Sequence, residues 1–150
     1  MRCMPAEKAF LGLDPKDAVT YEDARAVIIP FGLENSVTYG GGTAAIIRAS
    51  HEVELFDEHL WCEPFRQLGI VTLEEPSIEN EIPKALQQLE KIVKQVLDDQ
   101  KFPFVLGGEH SITIGAIRPF LKKYDNLILL HFDAHADLRN GYHGEHYSHA

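Results

Sequence analysis

An α/β fold with a parallel sheet covered on both faces is the architecture this sequence predicts, and three observations predict it. The strand candidates read as continuous apolar runs, not as alternating ones. Helix-like stretches separate them. The two segments richest in chemistry, residues 107–111 and 133–137, begin where predicted strands end, the edge at which ligands sit in open parallel sheets. The expectation is a three-layer αβα arrangement with right-handed crossovers.

The first strand candidate is A-V-I-I-P-F at residues 26–31, leaving into a loop around Pro30 and Gly32. A glycine-rich turn over residues 39–43 follows, then a short helix over 44–50. The three glycines at 40–42 are not a phosphate loop, because no Lys-Ser/Thr pair comes after them. Residues 53–56 and 69–73 are further strand candidates, the second bounded by Gly69 and Pro76. The clearest helix spans residues 81–100. There Ile82, Leu86, Leu89, Val93, Val96 and Leu97 recur at three- and four-residue steps and form one apolar stripe. Asn80 is the candidate N-cap, and Pro83 falls in the first turn, where a missing N–H costs little. Residues 102–106 form a buried strand ending at Gly107 and Gly108. Ser111 is placed to cap a helix running through Lys123, which Pro119 should kink or interrupt. Residues 126–132, N-L-I-L-L-H-F, are the most strand-like segment of all.

Length and composition fit one domain, or half of a larger one. The chain has 150 residues, 45% of them hydrophobic and 25% charged, enough apolar content to build a core. A net charge of −9 argues against a nucleic-acid surface, since no basic patch offsets the acid excess. Cys3 and Cys62 lack metal spacing and suggest a reducing compartment without disulfides. No segment reads as a signal peptide or approaches the ~20 apolar residues of a membrane span, so a cytoplasmic location and no membrane partner are expected.

Asp133, His135 and Asp137 alternate with two alanines. If strand geometry persists through them, all three side chains point to one side. Two carboxylates and an imidazole brought together repel and lose hydration unless a divalent cation sits among them. The competing reading is a solvated loop after a strand. His110 follows the Gly107-Gly108 pair, which permits a tight strand-to-helix turn. At the end of a neighbouring parallel strand it could meet Asp133 at one sheet edge. Glu109 is a candidate acceptor for orienting an imidazole.

G-G-E-H-S at residues 107–111, followed by H-F-D-A-H-A-D at 131–137, resembles the ureohydrolase family of arginases and agmatinases, and agmatinases most of all. The likeness extends to P-F-G-L-E-N-S-V-T-Y-G-G-G-T at 30–43 and A-S-H-E-V-E-L-F-D-E at 49–58, and so covers nearly the whole chain. It implies an arginase-like fold of which residues 1–150 are the N-terminal part, the C-terminal half being absent. The family's S-x-D-x-D-x-x-D-P stretch, which supplies two further aspartates, has no counterpart here, so the chain alone should bind metal poorly and its own activity is in doubt. The resemblance implies that His110, Asp133, His135 and Asp137 are ligands of a pair of manganese ions, with Asp133 bridging. An oxygen-rich, thiol-free set suits manganese, while its imidazoles also admit zinc, iron or nickel.

By the same resemblance, a hydroxide held between two metals attacks the carbon of a linear guanidino compound, and His149 shuttles the proton to the departing amine. His143 and His146 lie on the same polar stretch and stay open as alternatives, as does a His-rich loop with no such role. The segment after the metal motif, L-R-N-G-Y-H-G-E-H-Y-S, lacks the S-G-N-x-H-G-like pattern of arginine-cleaving members. Agmatine hydrolysis to putrescine and urea is therefore expected first, then guanidinobutyrate or arginine, with Glu145 as a candidate for a distal ammonium. A small cationic substrate and a homo-oligomer are the expected partners. A single-zinc deacetylase of similar architecture and a catalytically inactive fragment are the other readings; Asp137 and the G-G-E-H-S motif weigh against the deacetylase.

Overall fold

Three β-branched residues in a row, Val27, Ile28 and Ile29, favour a strand after Ala26, and the strand continues through Pro30 to Phe31. In the computed structural model, which describes residues 1–34, 41–144 and 146–148, this is β1 (Ala26–Phe31). It is the centre of a parallel sheet ordered β2-β1-β3, with β2 at Ile70–Thr72 and β3 at Phe102–Gly107. Ala26 pairs with Ile70 on one side and with Phe102 on the other, and β3 stays in register to Phe31 opposite Gly107.

Two prolines lie within these strands, and the ladder tolerates both. Alternation along β1 aims residue 30 toward β2, but the pairing with β2 ends at Ile28 opposite Thr72. The Phe102 N–H donates to the Arg25 carbonyl, which turns Pro103 toward the open edge of β3.

The two faces carry separate layers. Val27, Ile29 and Phe31 are buried against Ala85, Leu86, Leu89, Val93 and Val96 of α3 (Ile82–Asp98), with Ile112 of α4 (Ile112–Lys123) alongside. On the other face Ile28 and Leu106 pack with Ile47 of α1 (Gly42–Ala49), joined by Met4 and Phe10 from the N-terminal segment. This is the αβα sandwich expected from continuous apolar strands. Helix α3 is amphipathic as its periodicity predicts, and Glu90 ties it to α4 by accepting from Lys122 at 2.6 Å and lying 3.6 Å from Arg118. Among the described residues no helix is long and apolar enough to cross a membrane.

Local expectations fail in instructive places. Asn80 does not cap α3; Glu81 occupies that position without a side-chain bond. Gln88 holds the approach instead, donating to the Ser77 carbonyl at 2.9 Å and accepting from the Glu79 N–H at 3.3 Å. Ser111 occupies the N-cap of α4 but is buried and makes no capping bond, and α4 runs through Pro119 without interruption. A five-residue helix, α2 (Pro64–Leu68), has no counterpart in the periodicity. Residues 53–56 form no strand; Val53 and Phe56 are exposed, and Phe56 turns edge-on to Trp61 instead.

The largest correction concerns residues 126–132, which form no strand. Ile128 is 83% exposed and Phe132 92%. An extended run becomes a strand only by pairing, and no ladder forms between this segment and the Pro103-bearing edge of β3. Leu127, Ile128 and Leu129 instead line a cavity of about 400 Å³ with Val105, Ile112 and Phe120.

Candidate metal centre

The turn after β3 brings His110 to the carboxyl edge of the sheet. The Glu109 N–H donates to the Leu33 carbonyl at 2.9 Å, so the loop leaving β1 props the turn that carries His110. A Cβ on Gly108 would collide with that same Leu33 oxygen, which is why residue 108 is glycine. The bare backbone at Gly108 thus lets the turn approach Leu33 closely.

Residues 133–137 reach the same place by a route other than strand alternation. Residues 133–135 form a bend in which the His135 N–H donates to Asp133 Oδ1 at 2.8 Å, an Asx-type turn. His131 Nε2 lies 3.2 Å from the His135 carbonyl oxygen and closes the bend from the other side. Asp137 has φ 49, a left-handed conformation that Asp tolerates better than most residues. The result is that Asp137 folds back toward His110, whose Nδ1 lies 2.8 Å from Asp137 Oδ2 and 3.9 Å from Asp133 Oδ2.

His110, Asp133 and Asp137 thus offer one ligand atom each within 4.8 Å of one another, the one such metal-competent group among the described residues. His135 stands outside it. Its ring is 83% exposed, and its Nδ1 lies 3.6 Å from Asp133 Oδ1, the oxygen turned away from His110. Three of the four expected ligands converge, and the fourth sits on the far oxygen of the central carboxylate. His149 and Glu145 lie outside the described residues. Of the neighbouring histidines, His146 Nδ1 is 2.9 Å from the Asn140 carbonyl oxygen and His143 packs edge-on to Tyr142.

The donor set fits a hard or borderline divalent cation: two carboxylates, an imidazole and no thiolate. The His135 N–H bond, and then the imidazoles of His110, His131 and His135, hold the Asp133 carboxyl below the usual carboxylate range, against partial desolvation. Asp133 is therefore ionised and ready to ligate across the neutral range.

Glu75 escaped the sequence reading. Its Oε1 accepts from the Gly32 N–H at 2.7 Å and from the Thr43 hydroxyl at 3.3 Å. A lone Glu after a short strand carries no signal for such contacts, because both partners are more than thirty residues away.

Comparison with known proteins gives the family. The arginase family profile matches residues 24–150. The chain is 30% identical to the N(1)-aminopropylagmatine ureohydrolase of Synechocystis over 92% of its own length and 48% of that protein's. It is 31% identical to the agmatinase of Bacillus cereus over 95% of this chain and 49% of that one. The crystal structure of the agmatine ureohydrolase of Thermoplasma volcanium superposes with a TM-score of 0.74 at 29% identity, covering 95% of this chain and 47% of that one. The chain spans about half the length of these relatives. The chain belongs to the arginase family.

Proposed function

We propose that this chain is the N-terminal part of a ureohydrolase domain and supplies His110, Asp133, His135 and Asp137 to a two-metal centre that hydrolyses a linear guanidino compound. The observation that carries this reading is the convergence of His110, Asp133 and Asp137, from two separate loops, within 4.8 Å. Manganese is the proposed metal; bound as a pair, such ions acidify water enough to supply a nucleophile at neutral pH and stabilise developing charge.

The residues of the chain divide the work. Asp133 and Asp137 place two carboxylates at one point, which favours a cationic guanidinium as well as metal. Asp133 offers one oxygen toward His110 and the other toward His135, so it can serve two ions. The His131 contact to the His135 carbonyl steadies the bend that sets this orientation. His149 is the proposed proton carrier to the departing amine; imidazole suits transfer near neutral pH.

Agmatine is the proposed first substrate. Relatives named agmatinase and N(1)-aminopropylagmatine ureohydrolase support a substrate without an α-carboxylate. So does the absence of the S-G-N-x-H-G-like pattern from residues 138–148. Guanidinobutyrate follows, then arginine. A cytoplasmic homo-oligomer is the proposed setting.

Urea release from agmatine, guanidinobutyrate and arginine, by the family-length protein containing this sequence and loaded with manganese, tests the assignment. Agmatine should give the highest kcat/KM. Preference for arginine would overturn the substrate, and no urea from any of the three would overturn the reaction.

A further inference from the structure

We propose that Glu75 is a positioning residue for the metal centre, a role that rests on the metal-binding reading above. It acts through the loop that leaves β1. Glu75 stands three residues beyond the end of β2, at the carboxyl edge of the sheet. One of its oxygens, Oε1, accepts from the Gly32 N–H at 2.7 Å and from the Thr43 hydroxyl at 3.3 Å. Gly32 is the first residue after β1 and Thr43 the second of α1. A single carboxylate oxygen therefore fastens both ends of the β1–α1 connection.

Two further observations tie this fastening to the site. A Cβ on Gly32 would lie 3.0 Å from Glu75 Oε1 and 3.3 Å from Thr43 Oγ1, so the bare backbone at 32 makes room for the carboxylate. The next residue, buried Leu33, accepts from the Glu109 N–H at 2.9 Å, and Glu109 directly precedes His110. The path runs from Glu75 through Gly32 and Leu33 to Glu109 and then to His110. Within the loop, Glu34 Oε1 accepts from the Gly41 N–H at 3.1 Å and adds a second tie. Glu75 is itself exposed, yet one of its oxygens reaches both ends of the loop.

The acceptor, not the charge, does the positioning. Glutamine keeps an oxygen at that place and alanine removes it. The family-length protein containing this sequence and its Glu75→Ala and Glu75→Gln variants would be compared by hydrogen exchange without metal, and by Mn2+ titration. Glu75→Ala should speed exchange at residues 32–34 and 107–111 while α3 keeps its protection. It should weaken Mn2+ binding roughly tenfold, the low end for partners that orient ligands. Glu75→Gln should stay within about twofold of the parent on the same scale. Unchanged exchange at 107–111 in Glu75→Ala, equal loss of protection in α3, or a Gln variant as impaired as the Ala variant would each overturn the role. The exchange arm needs no cation, so failure of the family-length parent to bind Mn2+ would sink the metal reading while exchange still decides the part played by Glu75.

Discussion

The carbonyl of Leu33 occupies the space that a side chain on Gly108 would need, and the same oxygen accepts the N–H of Glu109. The end of β1 and the turn after β3 are thereby locked together beneath His110. Gly108→Ala should force the two loops apart at a cost of about 1–3 kcal/mol, the usual range for overpacking. Urea denaturation would measure it. A Gly108→Ala midpoint equal to the parent's would mean that the loops separate freely.

The core and the exposed apolar segment should respond in opposite ways. Leu89 is fully buried between α3 and the sheet, and Leu89→Ala should cost about 2–5 kcal/mol. Ile128 is 83% exposed, so Ile128→Lys should change stability by no more than about 0.5 kcal/mol and should reduce self-association. A loss from Ile128→Lys as large as that from Leu89→Ala would show that residues 126–132 pair as a strand after all.

Asp133 sets a definite pH dependence. Its folded-state pKa is lowered, so the order it gives to the 133–137 bend is complete above the unfolded value of about 3.9 and is lost as pH falls through the lower folded value. Carboxyl-carbon NMR should place its midpoint below about 3.9. Any loss of cation affinity above pH ~5 must then come from other donors. A midpoint above the unfolded value would contradict the turn geometry.

Much of this fold is legible in the sequence because its signals are local. The 3.6-residue stripe on α3 and the unbroken apolar runs of β1 and β3 are properties of single segments. Residues 126–132 mislead because a strand is a property of a pair: the side chains suit a sheet, but no ladder with the Pro103-bearing edge forms. The site divides along the same line. His110, Asp133 and Asp137 are legible as residue types at telling positions, yet a side-chain-to-backbone turn and a left-handed Asp137 assemble them, not strand alternation. That turn leaves His135 outside the group. Glu75 and the Leu33 carbonyl act only through partners remote in sequence, which composition and spacing cannot reveal.

The central claim is that His110, Asp133 and Asp137 form one cation site, and Mn2+ titration of the 150-residue chain, followed by electron paramagnetic resonance, tests it most directly. The parent should bind Mn2+ weakly, and His110→Ala, Asp133→Ala and Asp137→Ala should each reduce affinity by about tenfold or more, while His135→Ala reduces it less. Equal binding by the parent and all three of those variants would contradict the account.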